Sequence, residues 1–163
     1  MTQKDYILRQ VEAFGQALAR ISGLRLQSRV QAALIQLDEL IDRFVGLRLK
    51  GLRSLTYEEL RSLVAPEGKL DLERSLMLVD ALLEEAALEE AQGRADLSAA
   101  TSAFAVRLAV EAESVQGPGA ISARSEPLGL ARRRVGSESV DRETQDALVR
   151  FDCIAAETGG AAT

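Results

Sequence analysis

The chain has 163 residues and a formal net charge of −5, with 47% hydrophobic but only 4% aromatic residues, no Trp and no His. The acidic balance argues against a general nucleic-acid binder, and a Leu- and Ala-rich composition poor in aromatics favours closely packed helices over a β-sandwich. Without His the chain lacks the commonest general base, every His-containing metal site, and Ser-His-Asp or Cys-His nucleophilic machinery.

From Ile7, the apolar positions Val11, Phe14, Leu18 and Ile21 recur at helical steps, leaving Arg9, Glu12, Gln16 and Arg20 on other faces. This predicts a first helix that stops at Gly23. Ser28 is the expected cap of a second helix, in which Val30, Leu34, Leu37, Ile41 and Phe44 repeat the stagger before Gly46 ends it. The two form a first hairpin. Between Leu47 and Gly68 the regularity weakens, and Thr56-Tyr57-Glu58-Glu59 is a capping-box sequence that opens a short helix terminated by Pro66. Asp71 then caps a long helix with Leu72, Leu76, Val79, Leu83 and Ala86 inward. After Gln92-Gly93-Arg94 an equally long helix is expected to bury Leu97, Ala100, Phe104, Leu108 and Val115. The short connection makes this pair an antiparallel hairpin, and its alanines allow close approach.

Residues 116–136 change character. Gly117, Pro118, Gly119, Pro127 and Gly129 are helix breakers, and Arg132-Arg133-Arg134 adds positive charge, which predicts a flexible Gly/Pro/Arg linker. Ser137 or Ser139 then caps a last helix with Val140, Thr144, Ala147, Phe151 and Ile154 on one face. Glu157-Thr158-Gly159-Gly160-Ala161-Ala162 reads as a helix end, a turn and the opening of a further helix, so the last hairpin is left half made. The expected architecture is all-α, built of antiparallel helical hairpins, with about six helices. It divides into a helical-hairpin domain over 1–115, a linker over 116–136 and a C-terminal helix over 137–163, expected as an incomplete repeat.

Ser28, Gly93 and Gly159 fall at nearly equal intervals, close to twice the roughly 34-residue period of tetratricopeptide repeats. Gly93-Arg94 followed by Leu97, Ala99, Ala100 and Phe104 resembles the turn and second helix of such a repeat, and Ser28 with Ala33 and Leu37 resembles a degenerate copy. The usual aromatic before the turn is Glu89 here, and the small residue after it falls on Ser98. The opening Gln3-Lys4-Asp5-Tyr6-Ile7-Leu8-Arg9, with Phe14-Gly15-Gln16-Ala17-Leu18-Ala19 downstream, is similar to the start of a bacterial domain-of-unknown-function family of small tetratricopeptide-type helical proteins. The resemblance implies a helical-repeat fold. It implies no activity, catalytic residue or ligand.

Glu84, Glu85, Glu89 and Glu90 are the densest carboxylate cluster, with Glu85 and Glu89 one helical turn apart. A hard-cation site would need oxygens from a second helix as well, so the expectation is a solvated acidic face and no metal. Cys153 is the only cysteine, which excludes an intrachain disulfide and fits a reducing compartment. Beside Phe151 and Ile154 it is expected to be a small core residue and not a nucleophile. Gly117-Pro118-Gly119 lacks the preceding strand, third glycine and following Gly-Lys-Ser/Thr of a phosphate loop, and reads as a breaker. Lys4, Asp5, Arg9 and Glu12 interrupt the N-terminal apolar pattern, and no apolar run reaches the roughly 18 residues of a spanning helix. A cytoplasmic chain off the membrane is expected.

Function is therefore expected to be non-catalytic: a protein-interaction or scaffold module with no cofactor, whose partner is another protein or a second copy of the chain. A last helix without its hairpin mate needs its apolar face covered, which singles out Val140, Phe151 and Ile154 as partner contacts, with Arg132, Arg133 and Arg134 beside them. The alternative is a regulator that binds an anionic small ligand or nucleic acid through Arg48, Lys50, Arg53 and the linker arginines. A carboxylate-only enzyme built on Glu85 and Glu89 stands behind both.

Overall fold

Thr2 opens the first helix by a capping box: its Oγ1 accepts from the Asp5 backbone N–H at 3.3 Å, and Asp5 Oδ2 accepts from the Thr2 N–H at 3.1 Å. The computed structural model describes residues 2–136 and 140–159. Among these it contains eight α-helices, two short 3-10 turns and no strand.

Helix α1 spans Gln3–Leu26 and α2 spans Val30–Val45. Gly23 does not end α1, which runs on to Leu26, and Ser28 does not cap α2. Ser28 instead takes the left-handed position of the turn, at φ 59°. A glycine inside a helix costs only about 1 kcal/mol, which packing outweighs when Ile21 on the same turn is buried in the core. Gly46 does end α2, at φ 75° with its N–H donated to Asp42 O at 2.9 Å.

Two short helices, α3 (Leu49–Leu52) and α4 (Tyr57–Ser62), follow. The expected capping box at α4 is formed, with Glu59 Oε2 accepting from the Thr56 N–H at 2.8 Å. Pro66 begins a 3-10 turn, and Leu49, Leu52, Tyr57, Leu60 and Val64 all reach the core.

Helix α5 (Leu72–Ala91) is the centre of the fold: α1, α2, α6 and α7 all pack on it. Asp71 caps it by accepting from the Arg74 N–H at 3.1 Å. Gly93, at φ 75°, turns the chain into α6 (Ala95–Gln116), which lies along α5 as the second antiparallel hairpin. The buried stripe of α6 differs from the expected one, because Leu97 and Val115 are 42% and 57% exposed and Ala100 is exposed too. Ser98, Ser102, Ala105, Ala109 and Ala112 face inward with Leu108. Close approach to α5 selects small residues: Ser98 Oγ donates to the Ala86 carbonyl of α5 at 2.8 Å.

The expected flexible linker over 116–136 is corrected by helix α7 (Ser125–Val135), which buries Leu128, Ala131 and Val135. Pro127 sits in its first turn, where the missing N–H has no intrahelical acceptor to lose. The Gly117-Pro118-Gly119 breaker is held by Glu113, whose carboxylate accepts from the Gly119 N–H at 3.2 Å and the Ile121 N–H at 2.9 Å. Helix α8 (Arg142–Gly159) packs on α6 and buries Thr144, Leu148 and Phe151. Asp141 caps it by accepting from the Thr144 N–H at 2.9 Å, and the hydrogen bond from Thr144 Oγ1 at 2.6 Å, with the backbone bond second, holds the Asp141 carboxyl below its ordinary range. Ser137 and Ser139, read as caps, and Gly160-Ala161-Ala162, read as a further helix, lie outside the described residues. One hydrophobic core runs through α1 to α8, so the boundaries at 115 and 136 mark no break in packing.

Candidate functional site

Asp80, Glu84, Glu85, Glu89 and Glu90 lie on successive turns of α5, and each meets an arginine from elsewhere in the fold. Arg124 grips Asp80 through Nε at 2.6 Å and Nη2 at 3.0 Å. Arg25 of α1 donates through Nε to Glu84 at 2.7 Å, and Ser22 Oγ donates to the same carboxylate at 2.7 Å. Arg134 of α7 donates through Nη2 to Glu90 at 2.7 Å. Arg53, just after α3, donates through Nε to Glu85 at 2.7 Å and stands 3.2 Å from Glu89 Oε1.

The expected solvated acidic face is thereby corrected. Glu85 and Glu89 are 1% and 0% exposed and Glu84 is buried; only Glu90 reaches solvent. The middle of α5 is enclosed by its neighbours, so the charges there are neutralised from neighbouring elements. Burial first, and the Glu89 charge second, push the Glu85 carboxyl from 4.5 up to about 7, against the pull of Arg53. Burial raises Glu89 as well, opposed by the hydrogen bond from Thr101 Oγ1 at 3.0 Å and by Arg53. Among the described residues Glu89 Oε1 accepts no hydrogen bond, since the Arg53 N–H is directed at Glu85. Among the described residues no group of three Asp, Glu or Cys side chains is placed to hold a metal ion.

Five of the six residues singled out as partner contacts are engaged within the chain. Arg132 pairs with Asp152 at 2.9 Å, Arg134 with Glu90, and only Arg133 of the three is exposed with no ion pair among the described residues. Phe151 is 4% exposed in the core, while Val140 and Ile154 are half-buried against it. The apolar face of α8 is covered by α6, which removes the reason for assigning it to a partner. Cys153, expected in the core, is exposed on the opposite side of α8. Arg48 pairs with Asp38 at 2.6 Å and Arg53 with the α5 glutamates, which leaves Lys50 exposed.

A second cluster joins α4 to α6. Tyr57 Oη donates to Glu111 at 3.1 Å, Arg61 Nε donates to the same carboxylate at 2.6 Å, and the Arg107 guanidinium lies 3.8 Å from the Tyr57 ring centroid. Burial and the Glu111 charge raise the phenol well above its ordinary range. These contacts staple the short helices to the main hairpin.

An unfilled surface remains between α1, the end of α2 and the start of α5: a groove of about 580 Å³. Phe14 and Phe44, tilted at 54° with centroids 5.2 Å apart, and Met77 form its apolar floor. Arg20, Arg43 and Arg74 line it from three different helices, the last 6.0 Å from the Phe44 centroid. None of the three makes an ion pair among the described residues, in contrast to the arginines around α5. The one-dimensional pattern places Arg20 on a polar face and offers no signal that Arg43 and Arg74 converge with it, because only the packing of α1 and α2 on α5 brings them together.

Comparison with protein-family models, with curated proteins and with solved structures finds no match to this chain.

Proposed function

We propose that this chain is a non-catalytic protein-interaction module, and that the groove between α1, α2 and α5 is where its partner binds. The groove carries this reading: it brings three unpaired cations beside an apolar floor, while among the described residues the apolar face of α8 packs on α6 and the charges along α5 are met by arginines. The buried carboxylates of α5 support a structural role because Glu84 is held by Arg25, and Glu85 and Glu89 stand against Arg53. Among the described residues no helix is long and apolar enough to cross a membrane, which agrees with action away from the bilayer. The succession of antiparallel hairpins also agrees with kinship to tetratricopeptide-type proteins, whose concave faces hold partners.

The test is affinity capture from native lysate after nuclease treatment, with the wild-type protein beside Ala13→Trp, in which an exposed groove residue on α1 is enlarged to fill the space. A stoichiometric protein partner lost in Ala13→Trp supports the reading. Capture that the substitution leaves unchanged, or that nuclease abolishes, overturns it, the second outcome in favour of a nucleic-acid-binding regulator.

A further inference from the structure

Resting on that reading, we infer that the groove accepts an amphipathic α-helix of a partner protein with acidic residues flanking its apolar stripe. Three observations define the occupant. The groove follows α1 from Ile7 to Arg20, about 20 Å at 1.5 Å per residue, which matches roughly four turns of helix. Its floor of Phe14, Phe44 and Met77 is apolar, so the occupant presents side chains at i, i+3, i+4 and i+7. Arg20, Arg43 and Arg74 lie along it from three helices, with no ion pair among the described residues, in a chain whose net charge is −5.

The last observation decides the sign of the flanks. Among the described residues Arg25, Arg53, Arg61 and Arg124 each have a carboxylate within 4 Å, whereas Arg9, Arg29, Arg94, Arg133, Arg142 and Arg150 have none; what sets Arg20, Arg43 and Arg74 apart is that three unpaired guanidiniums converge on one apolar-floored groove. Asp71 and Glu73 share the groove wall but belong to the first turn of α5, where Asp71 caps the helix and both charges face its positive end. A basic partner would leave the three guanidiniums facing like charge, whereas glutamates at its flanks would pair with them.

The experiment uses synthetic fluorescent peptides that share one leucine stripe and differ only in flanks of Glu or Lys, titrated onto the full chain by anisotropy at low and high salt. The Glu peptide is expected to bind roughly tenfold or more tighter than the Lys peptide, to weaken with salt, and to be lost on Ala13→Trp. Arg43→Glu/Arg74→Glu, with circular dichroism confirming the helical fold, should reverse the order of the two peptides.

Equal or tighter binding of the Lys peptide overturns the inference. So does no binding of either peptide where the groove instead takes up a fluorescent fatty acid, or where light scattering shows a dimer that Ala13→Trp disperses. Groove-dependent capture from lysate combined with failure of the Glu peptide rejects the acidic helix and leaves the interaction module standing. Lysate capture indifferent to Ala13→Trp rejects the module itself.

Discussion

Arg53 donates to Glu85 at 2.7 Å across 32 positions of sequence, and its guanidinium also stands 3.2 Å from Glu89, so one cation serves two buried carboxylates of α5. It closes a polar seam in the middle of the molecule. Removing Arg53 as Met would leave Glu85 and Glu89 facing each other without that cation, at a cost of roughly 3 kcal/mol in urea unfolding. Glu85→Gln in the same background should recover part of the loss, since it removes one uncompensated charge. A coupling of about 1–3 kcal/mol is expected from the double-mutant cycle, and simple additivity would show that the two residues do not act as a unit.

The same seam sets a pH dependence. Glu85 holds its proton up to about pH 7 when folded, against an ordinary value of 4.5. The folded chain therefore binds more protons than the unfolded chain between those limits. The stability contributed by this group is fully present below about pH 4.5 and is lost as the pH rises through about 7. Melting temperatures of wild type and Glu85→Gln, measured from about pH 5 to about pH 8, should differ by a quantity that moves against the wild type as pH rises, by a few degrees in total. A difference that is constant, or that moves the other way, would show that Glu85 titrates normally in the fold.

Helix α7 makes the arginine run a stringent probe of order. Leu128 is fully buried, so Leu128→Ala should cost about 2–5 kcal/mol, while Arg133→Ala at an exposed site should stay within about 0.5 kcal/mol. Trypsin should cut after Arg132, Arg133 and Arg134 slowly in the wild type and much faster in Leu128→Ala. Immediate cleavage of the wild type at this run would restore the picture of a flexible linker.

Cys153 lies on the solvent side of α8. Alkylation of the native protein should proceed at close to the rate seen in denaturant, and Cys153→Ser should leave stability unchanged within about 0.5 kcal/mol. Protection of the thiol in the native protein would return it to the core.

Helix limits that depend on contacts within one turn are written in the sequence itself. Thr56 with Glu59, Asp71 before α5, and the left-handed glycines Gly46 and Gly93 all stand where a local reading places them, because cap and capped group are near neighbours in the chain. The all-α class follows from the same local periodicity. Tertiary structure decided the rest. Small residues on α6 won the inward stripe over Leu97 and Val115 because backbone approach to α5 limits side-chain size. The acidic row became internal because α5 is enclosed by α1, α2, α6 and α7, and its charges are met by arginines as far as 59 positions away. Residues 125–135 became a helix because α5 and α6 offer a surface for Leu128 and Ala131. The groove and its three arginines arise from the same cause: periodicity assigns each helix its own faces, and only the packing of three helices determines which of those faces meet.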